Sequence, residues 1–300
     1  MTQPRPFLHT SVLLEEVLNA LRPRPGIGYR ALDATLGGGG HSFGLLDQSS
    51  PDGSLIALDT DPLAIEAGRK RLASFGDRFE LIQRNFRELA SLDLEPVDGI
   101  VFDLGLSSPQ LESSGRGFSF LKPDEPLDMR FDPDAPGPTA AQLVNELNEA
   151  ELERVFRTYG EEPRARRLAR TIVQRRARAP IATTGDLVTA VTAALGPARG
   201  RTHPATRAFQ ALRIEVNDEL GALEAGLDAA IDLLKEGGRL AVISFQSLED
   251  RIVKWRMRGW SDSGRASVLT RRPITPTDAE VQSNRRARGA KMRIAERLAQ

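Results

Sequence analysis

Four short apolar runs follow one another at 29–34, 54–59 (SLIALD), 79–83 (FELIQ) and 98–104 (DGIVFDL), and a fifth, RLAVISF at 239–245, comes only much later. Each is rich in Val, Ile, Leu and Phe, is bounded by Gly or Asp, and is too short for a globular helix, so each predicts a strand. Helix-length segments separate the first four. Strands joined by helices run parallel, and a parallel sheet must be covered on both faces. The pattern therefore predicts a doubly wound α/β sheet, whose ligands lie at the carboxyl edge of the strands.

The rhythm breaks after residue 104 and resumes at Gly237-Gly238. Residues 105–138 are rich in Gly, Pro and Ser, and 139–234 read as helical. Pro163 suits a helix start, Leu168 and Ile172 share a face, and the residue before Pro180 ends that helix. Thr184 is the expected cap of a further helix stopping at Gly196-Pro197, and Ala205–Leu234 predicts one or two more. A sheet domain over 1–108 and 235–300 is thus interrupted by a mainly helical insertion over 109–234, expected to recognise substrate. Ser247 with Asp250 has the form of a capping box, and VLTRRPIT and AKMRIAERL predict closing strands.

The chain of 300 residues has no cysteine, and its three histidines, His9, His41 and His203, lie far apart. Cysteine-ligated zinc, iron–sulfur clusters and thiolate nucleophiles are excluded, and no metal site is expected. Catalysis must rest on carboxylates, hydroxyls, amides and backbone. No run approaches the roughly 20 apolar residues of a membrane span, and the N-terminus does not resemble a secretory signal, so a cytoplasmic location is expected. Net charge is zero but unevenly placed: residues 251–300 hold 13 Lys/Arg against 4 Asp/Glu, and Arg164–Arg178 has seven arginines and no acid. Such asymmetry suits a polyanionic partner or, equally, solvated helix faces.

At the end of the first strand stands DATLGGGGHS, residues 33–42. A glycine-rich turn of this kind offers bare amides to a phosphate, but the dinucleotide fingerprint G-x-G-x-x-G would need glycine at position 42, where Ser42 stands. Asp33 before Gly37 and Gly39 gives D-x-x-x-G-x-G, which looks like the first motif of S-adenosylmethionine-dependent methyltransferases. Asp59 ends the second strand, where a carboxylate accepts ribose hydroxyls in either fold. Asp103 ends the fourth, at the edge suited to catalysis or substrate capture. Asp61, before Pro62, predicts a helix start.

DLGLSSPQL (103–111) is a more specific stretch. With HTSVLLEEVL at 9–18, TLGGGGHS at 35–42, RGFSF at 116–120, PLDMRFD at 126–132, TYGEE at 158–162, HPATRAFQALRIEVNDEL at 203–220 and SFQSLEDR at 244–251, the chain resembles the bacterial ribosomal RNA small-subunit methyltransferase H family, also called MraW. The resemblance spans residues 9 to about 293. It implies a Rossmann-like S-adenosylmethionine-dependent methyltransferase sheet with an inserted helical domain, and N4-methylation of a cytidine in the decoding centre of 16S ribosomal RNA. The implied partner is 16S ribosomal RNA within the small subunit, the chain acting alone or as a homodimer. It further implies that Gly39, Gly40 and His41 contact the cofactor, Asp59 its ribose, Phe86 its adenine region, and Asp103 with Gln110 the remaining edge. Two positions depart from the family: Gln246 replaces a usual histidine and can hydrogen-bond but not titrate, and Ser283-Asn284-Arg285 replaces Asn-Pro-Arg.

Without cysteine, methylation at carbon 5 through a cysteine adduct and radical methylation are both excluded, leaving direct transfer to nitrogen or oxygen. The cytosine N4 lone pair is delocalised into the ring, so hydrogen-bond acceptors around the amine must localise it. Asp103 or a carbonyl of the 104–108 loop is expected to accept from N4, with Ser107 and Ser108 beside it. Phe118 and Phe120 either stack on the flipped base or anchor their loop, and Asp128 and Arg130 either line the base pocket or pair with each other. The basic blocks would contact phosphates. Two competing readings stay open at this point: an NAD-dependent oxidoreductase, and a ribosome-assembly factor whose pocket only stabilises the fold.

Overall fold

The computed structural model describes residues 11–107, 110–111, 114–197 and 203–299. Seven strands form one sheet in the order β3-β2-β1-β4-β5-β7-β6: β1 Arg30–Asp33, β2 Ser54–Asp59, β3 Phe79–Gln83, β4 Val97–Asp103, β5 Leu234–Ser244, β6 Ala266–Val268 and β7 Lys291–Arg297. The first five are parallel, and β7 lies antiparallel to both β5 and β6. β5 begins five residues before its apolar run, because Leu234 pairs with Val97 through a register shift. Of VLTRRPIT, only Val268 lies in a strand, while Ile274 makes an isolated bridge to Met292.

Alternation along each strand sends neighbouring side chains to opposite faces. On one face Ala31, Leu55, Ala57, Val101, Ala241 and Ile243 pack with Val17 and Leu21 of α1 (Leu14–Leu21) and Leu45 and Leu46 of α2 (Gly40–Gln48). α3 (Pro62–Leu72) adds Leu72, and Asp61 caps it by accepting from Leu63 N–H, as Asp-Pro predicts. On the other face Leu32, Leu58, Ile100, Phe102, Leu240 and Val242 form a second core.

The middle segment, from 110 to Glu219, forms a separate compact unit. Its helices are α4 (Ala140–Glu146), α5 (Glu149–Thr158), α6 (Ala165–Arg176), α7 (Thr184–Leu195) and α8 (Ala205–Asn217). Leu168 and Ile172 are fully buried on α6 as their spacing predicts. The cap of α7 is Thr183 rather than the expected Thr184: the Thr183 hydroxyl accepts from Asp186 N–H, whereas the Thr184 hydroxyl donates to the Lys122 carbonyl. α8 ends where Asp218 turns left-handed, and Arg213 pairs bidentately with Glu219 across that break.

The boundary differs from the expected 234. α9 (Glu219–Leu233) places Leu223, Leu227, Ala230 and Ile231 in the second sheet core, beside Val253, Met257 and Trp260 of α10 (Ser247–Asp262). Residues from Leu220 onward therefore belong to the sheet unit. The helical period alone could not show which apolar core this helix joins. Leu227 is fully buried, so Leu227→Ala is expected to cost about 2–5 kcal/mol in chemical denaturation.

Candidate active site

Three parallel strands, β1, β2 and β4, end in Asp33, Asp59 and Asp103. Asp33 stands opposite Ala57 and Val101, so β2 and β4 each run two residues past β1. The chain leaving β1 fills the gap by bonding to one neighbour and then the other: Ala34 N–H donates to the Val101 carbonyl, and Leu36 N–H to the Leu58 carbonyl. This is the topological switch point of the sheet, where open α/β folds bind ligands.

The carboxylates hold the loop. Asp33, 1% exposed, accepts from Thr35 N–H at 3.1 Å and from the Ser42 hydroxyl at 2.7 Å. Asp59 accepts from Gly37 N–H at 2.8 Å and from Asp61 N–H at 2.9 Å. Thr35 ties the third strand by accepting from Asp103 N–H at 2.6 Å. Thr35 was not among the sequence candidates, because nothing in its type distinguishes a bridging hydroxyl from a turn residue.

Three glycines of the tract answer separate demands. Gly37 (φ +50°) and Gly39 (φ +71°) adopt left-handed backbone, and a Cβ on Gly37 would stand 3.7 Å from Ser107 Cβ, so Ser107 lies across the loop from it. A Cβ on Gly40 would collide with the Ser11 hydroxyl at 1.9 Å. Gly38 alone of the four meets nothing within 4 Å, so the space beside its backbone is open. Nothing in the sequence marks Gly38 or Ser11, whose roles exist only in the assembled fold.

His41 is buried, with Nε2 donating to the Val12 carbonyl at 3.0 Å and Nδ1 3.6 Å from Asp103 Oδ2. With the Nε2 proton committed, a second proton on either group makes the His41–Asp103 approach attractive. Asp103 Oδ1 is buried and has no hydrogen-bond partner in the described structure. Burial pushes Asp103 up to about 6, opposed by His41 and reinforced by Asp33. Burial likewise pushes Asp59 up to about 6, against the hydrogen bonds from Asp61 and Gly37, and raises Asp33.

On the neighbouring strand end, the α10 N-terminus differs from the expected Ser247–Asp250 box. Gln246 is its N-cap, Glu249 accepts from the N–H groups of Phe245 and Gln246, and Asp250 pairs with Arg293 and Lys291 instead. Phe86 packs edge-on to Phe102, 5.4 Å between centroids, and closely against Gly226 of α9.

A family model described as the MraW methylase family matches residues 6–298. The chain belongs to that family. A Geobacter sulfurreducens protein named ribosomal RNA small subunit methyltransferase H is 50% identical over 313 residues, covering 97% of this chain and 99% of the relative. One of the same name from Heliobacterium mobile is 47% identical over 315 residues, covering 97% and 99%. A solved structure from Clostridium thermocellum, described as a candidate rRNA methylase, matches with TM-score 0.50 at 14% identity over 99% of this chain and all of its own, a likeness in fold alone.

For this MraW-family chain, the sheet unit brings Asp33, Gly37, Gly39, Gly40, His41, Asp59, Asp103 and Ser107 to one edge, with Phe86 on the second-core face. Ser108 lies outside the described residues. Gln110 is buried in the other unit. There Phe118, 6% exposed, stacks on Phe131, and the Arg116 guanidinium stands over its ring, so it anchors its loop instead of offering a face to a base. Phe120, partly exposed, stacks on His203 and meets Phe209 edge-on. Asp128 and Arg130 form a bidentate pair, and despite partial burial the Arg130 hydrogen bonds hold Asp128 below the usual carboxylate range. The pairing alternative is the one realised, because each group satisfies the other within two residues of chain.

A carboxyl whose folded-state pKa is raised favours the protonated fold. Its contribution is fully present below its unfolded value near 4 and is lost as pH rises through about 6. For Asp103 the loss amounts to roughly 3 kcal/mol between pH 4 and pH 7. Stability curves of the unliganded protein and of Asp103→Asn are therefore expected to diverge over that window, the variant gaining on the parent as pH rises. Parallel curves would contradict the assignment.

Proposed function

We propose that this chain transfers a methyl group from S-adenosylmethionine to the exocyclic N4 of a cytidine in the decoding centre of 16S ribosomal RNA. The observation that carries the reading is the ring of strand-end carboxylates around the glycine loop. A phosphate in that loop would face Asp33, Asp59 and Asp103, whereas a sulfonium is a cation and finds a complementary field. This weighs against a dinucleotide and hence against the oxidoreductase reading. The open space beside Gly38 and the unpartnered Asp103 Oδ1 suit a bound ligand with donor groups.

When bound, S-adenosylmethionine supplies an electrophilic methyl carbon. Transfer to the amine would leave the C–S bonding pair on the cofactor's sulfur, so the task left to this chain's residues is to hold the amine and take its released proton. Asp59 accepts from ribose hydroxyls, its two oxygens already oriented by Gly37 and Asp61 N–H groups. Gly39, Gly40 and His41 shape the methionine end, and Phe86 borders the adenine. Asp103 accepts from N4–H, which draws the lone pair out of the ring. With its carboxyl near 6, Asp103 is ionised at neutral pH and can take the released proton. Ser107 contributes a polar contact beside it. The 110–219 unit recognises the RNA, with Phe120 as its contact residue. The substrate being ribosomal, the protein works in the cytoplasm.

The deciding experiment is methyl transfer from labelled S-adenosylmethionine to small ribosomal subunits from a strain lacking the activity, read by nucleoside mass spectrometry. Label in N4-methylcytidine is the expected result. Binding of S-adenosylhomocysteine with no label on any nucleoside would favour the assembly-factor reading. Asp103→Ala is expected to reduce kcat at least 100-fold, and near-normal turnover would remove it from the mechanism.

Affinity for S-adenosylhomocysteine is expected to fall about fivefold from pH 6 to pH 5 if one carboxylate near 6 must stay ionised; Asp59→Asn would bind weakly at both. By calorimetry, Gly38→Val should lose the ligand while keeping its melting temperature, since its side chain would enter open space.

A further inference from the structure

The exposed face of α10 carries an aromatic ring set among cations. Trp255 is 57% exposed. Lys254 Nζ lies 6.0 Å and Arg258 Cζ 5.5 Å from ring centroids of this indole. Arg251, Lys254, Trp255, Arg258 and Asp262 are exposed along the same side of the helix, at the three- and four-residue spacings that align side chains. Asp262 is the one acid in that row, and it pairs with Arg258 at the far end.

The opposite sides of α10 are occupied. Val253, Met257 and Trp260 enter the core, Arg256 pairs with Glu224 and Asp228 of α9, and Asp250 pairs with Arg293 and Lys291 of β7. The Trp255 row is the side left to solvent.

A single exposed apolar side chain is ordinary on a protein surface. An exposed indole between two cations is a different arrangement, because it joins a π-face to positive charge. Both cations lie within cation–π reach, yet the side chain stays 57% exposed, so they do not close off the ring. Stacking on an aromatic face with cations against the adjoining phosphates is how single-stranded nucleic acid is held without sequence readout. The wider charge agrees: α10 opens the segment 251–300, which carries 13 Lys/Arg against 4 Asp/Glu in a chain that is neutral overall.

We propose that the Trp255 face of α10 is an RNA-docking surface, on which a base of the substrate strand stacks while Lys254 and Arg258 meet its phosphates. The proposal rests on the RNA methyltransferase reading above and adds where the substrate is held. Trp255 lies nine residues along the helix from Gln246, about 14 Å at 1.5 Å per residue. The base it meets is therefore a neighbour of the methylated one, and losing the contact raises KM without changing kcat.

The chain has two tryptophans, and the other, Trp260, is 5% exposed, so intrinsic fluorescence reports directly on Trp255. Short single-stranded RNA free of protein is expected to quench the wild-type emission, and Trp255→Phe to show almost no quenching. Trp255→Ala should weaken RNA binding about tenfold, raise KM for small subunits with kcat unchanged, and bind S-adenosylhomocysteine as the parent does. Lys254→Gln and Arg258→Gln should each lower the slope of log affinity against log salt by about one.

Unquenched emission at saturating RNA, or undiminished RNA binding by Trp255→Ala, would overturn the proposal. So would quenching by assembled subunits but not by free RNA, which would indicate a protein partner. If either occurs while N4-methylcytidine still forms, the docking surface fails and the activity stands; if no nucleoside is labelled, the activity reading itself fails.

Discussion

The loop after β1 can exist because β1 is shorter than its neighbours and all three strands end in aspartate. Strand alternation places Asp33, Asp59 and Asp103 on the α2 face of the sheet. Two of them accept the backbone N–H groups of Thr35 and Gly37, and the backbone of the third donates to Thr35. These bonds satisfy donors that a buried turn would otherwise leave unpaired, an omission costing about 1–3 kcal/mol each. Placement of α2, the approach of Ser11 to Gly40 and the burial of His41 all follow from the loop so held.

That solution stores electrostatic strain. Carboxylates gathered at one sheet edge lose solvation, and the Asp33 charge adds a smaller push, which is why Asp59 and Asp103 stand near 6. A site that is costly unliganded gains from a ligand that brings donors and positive charge. The same residues that fix the loop thus make the pocket selective for charge, without a dedicated recognition residue.

The five parallel strands were legible because each contains a short apolar run, and the candidate site was legible because strand-end acids and a glycine tract occupy the switch point such folds use. What escaped reading depends on long-range contact. α9 has the same helical period in either unit, and its burial against Phe102 and Leu240 decides where it belongs. Thr183 and Thr184 are equivalent until Lys122 offers a carbonyl to one of them. Ser247 and Asp250 match a capping box by spacing, yet Glu249 takes that part because Asp250 faces Arg293. Phe118 and Phe120 could not be told apart as stacking or anchoring rings, since the partners Phe131 and Phe209 lie at no fixed sequence distance.

Charge is segregated within the sheet unit, and the segregation bears on how a polyanion would deliver one of its bases. Acids converge at the strand ends, while the segment from Arg251 onward is strongly basic. A phosphate is repelled by the first and attracted by the second, so an RNA strand can follow the basic surface but cannot place its backbone over Asp33, Asp59 and Asp103. A cytosine is neutral and carries an exocyclic amine with protons to donate. Extruding that base while the flanking phosphates stay on the rim satisfies both fields at once. On the proposed reading, selection between backbone and base would need no moving gate, because the sign of the charge changes between the basic segment proposed to hold the strand and the strand-end acids proposed to receive the base.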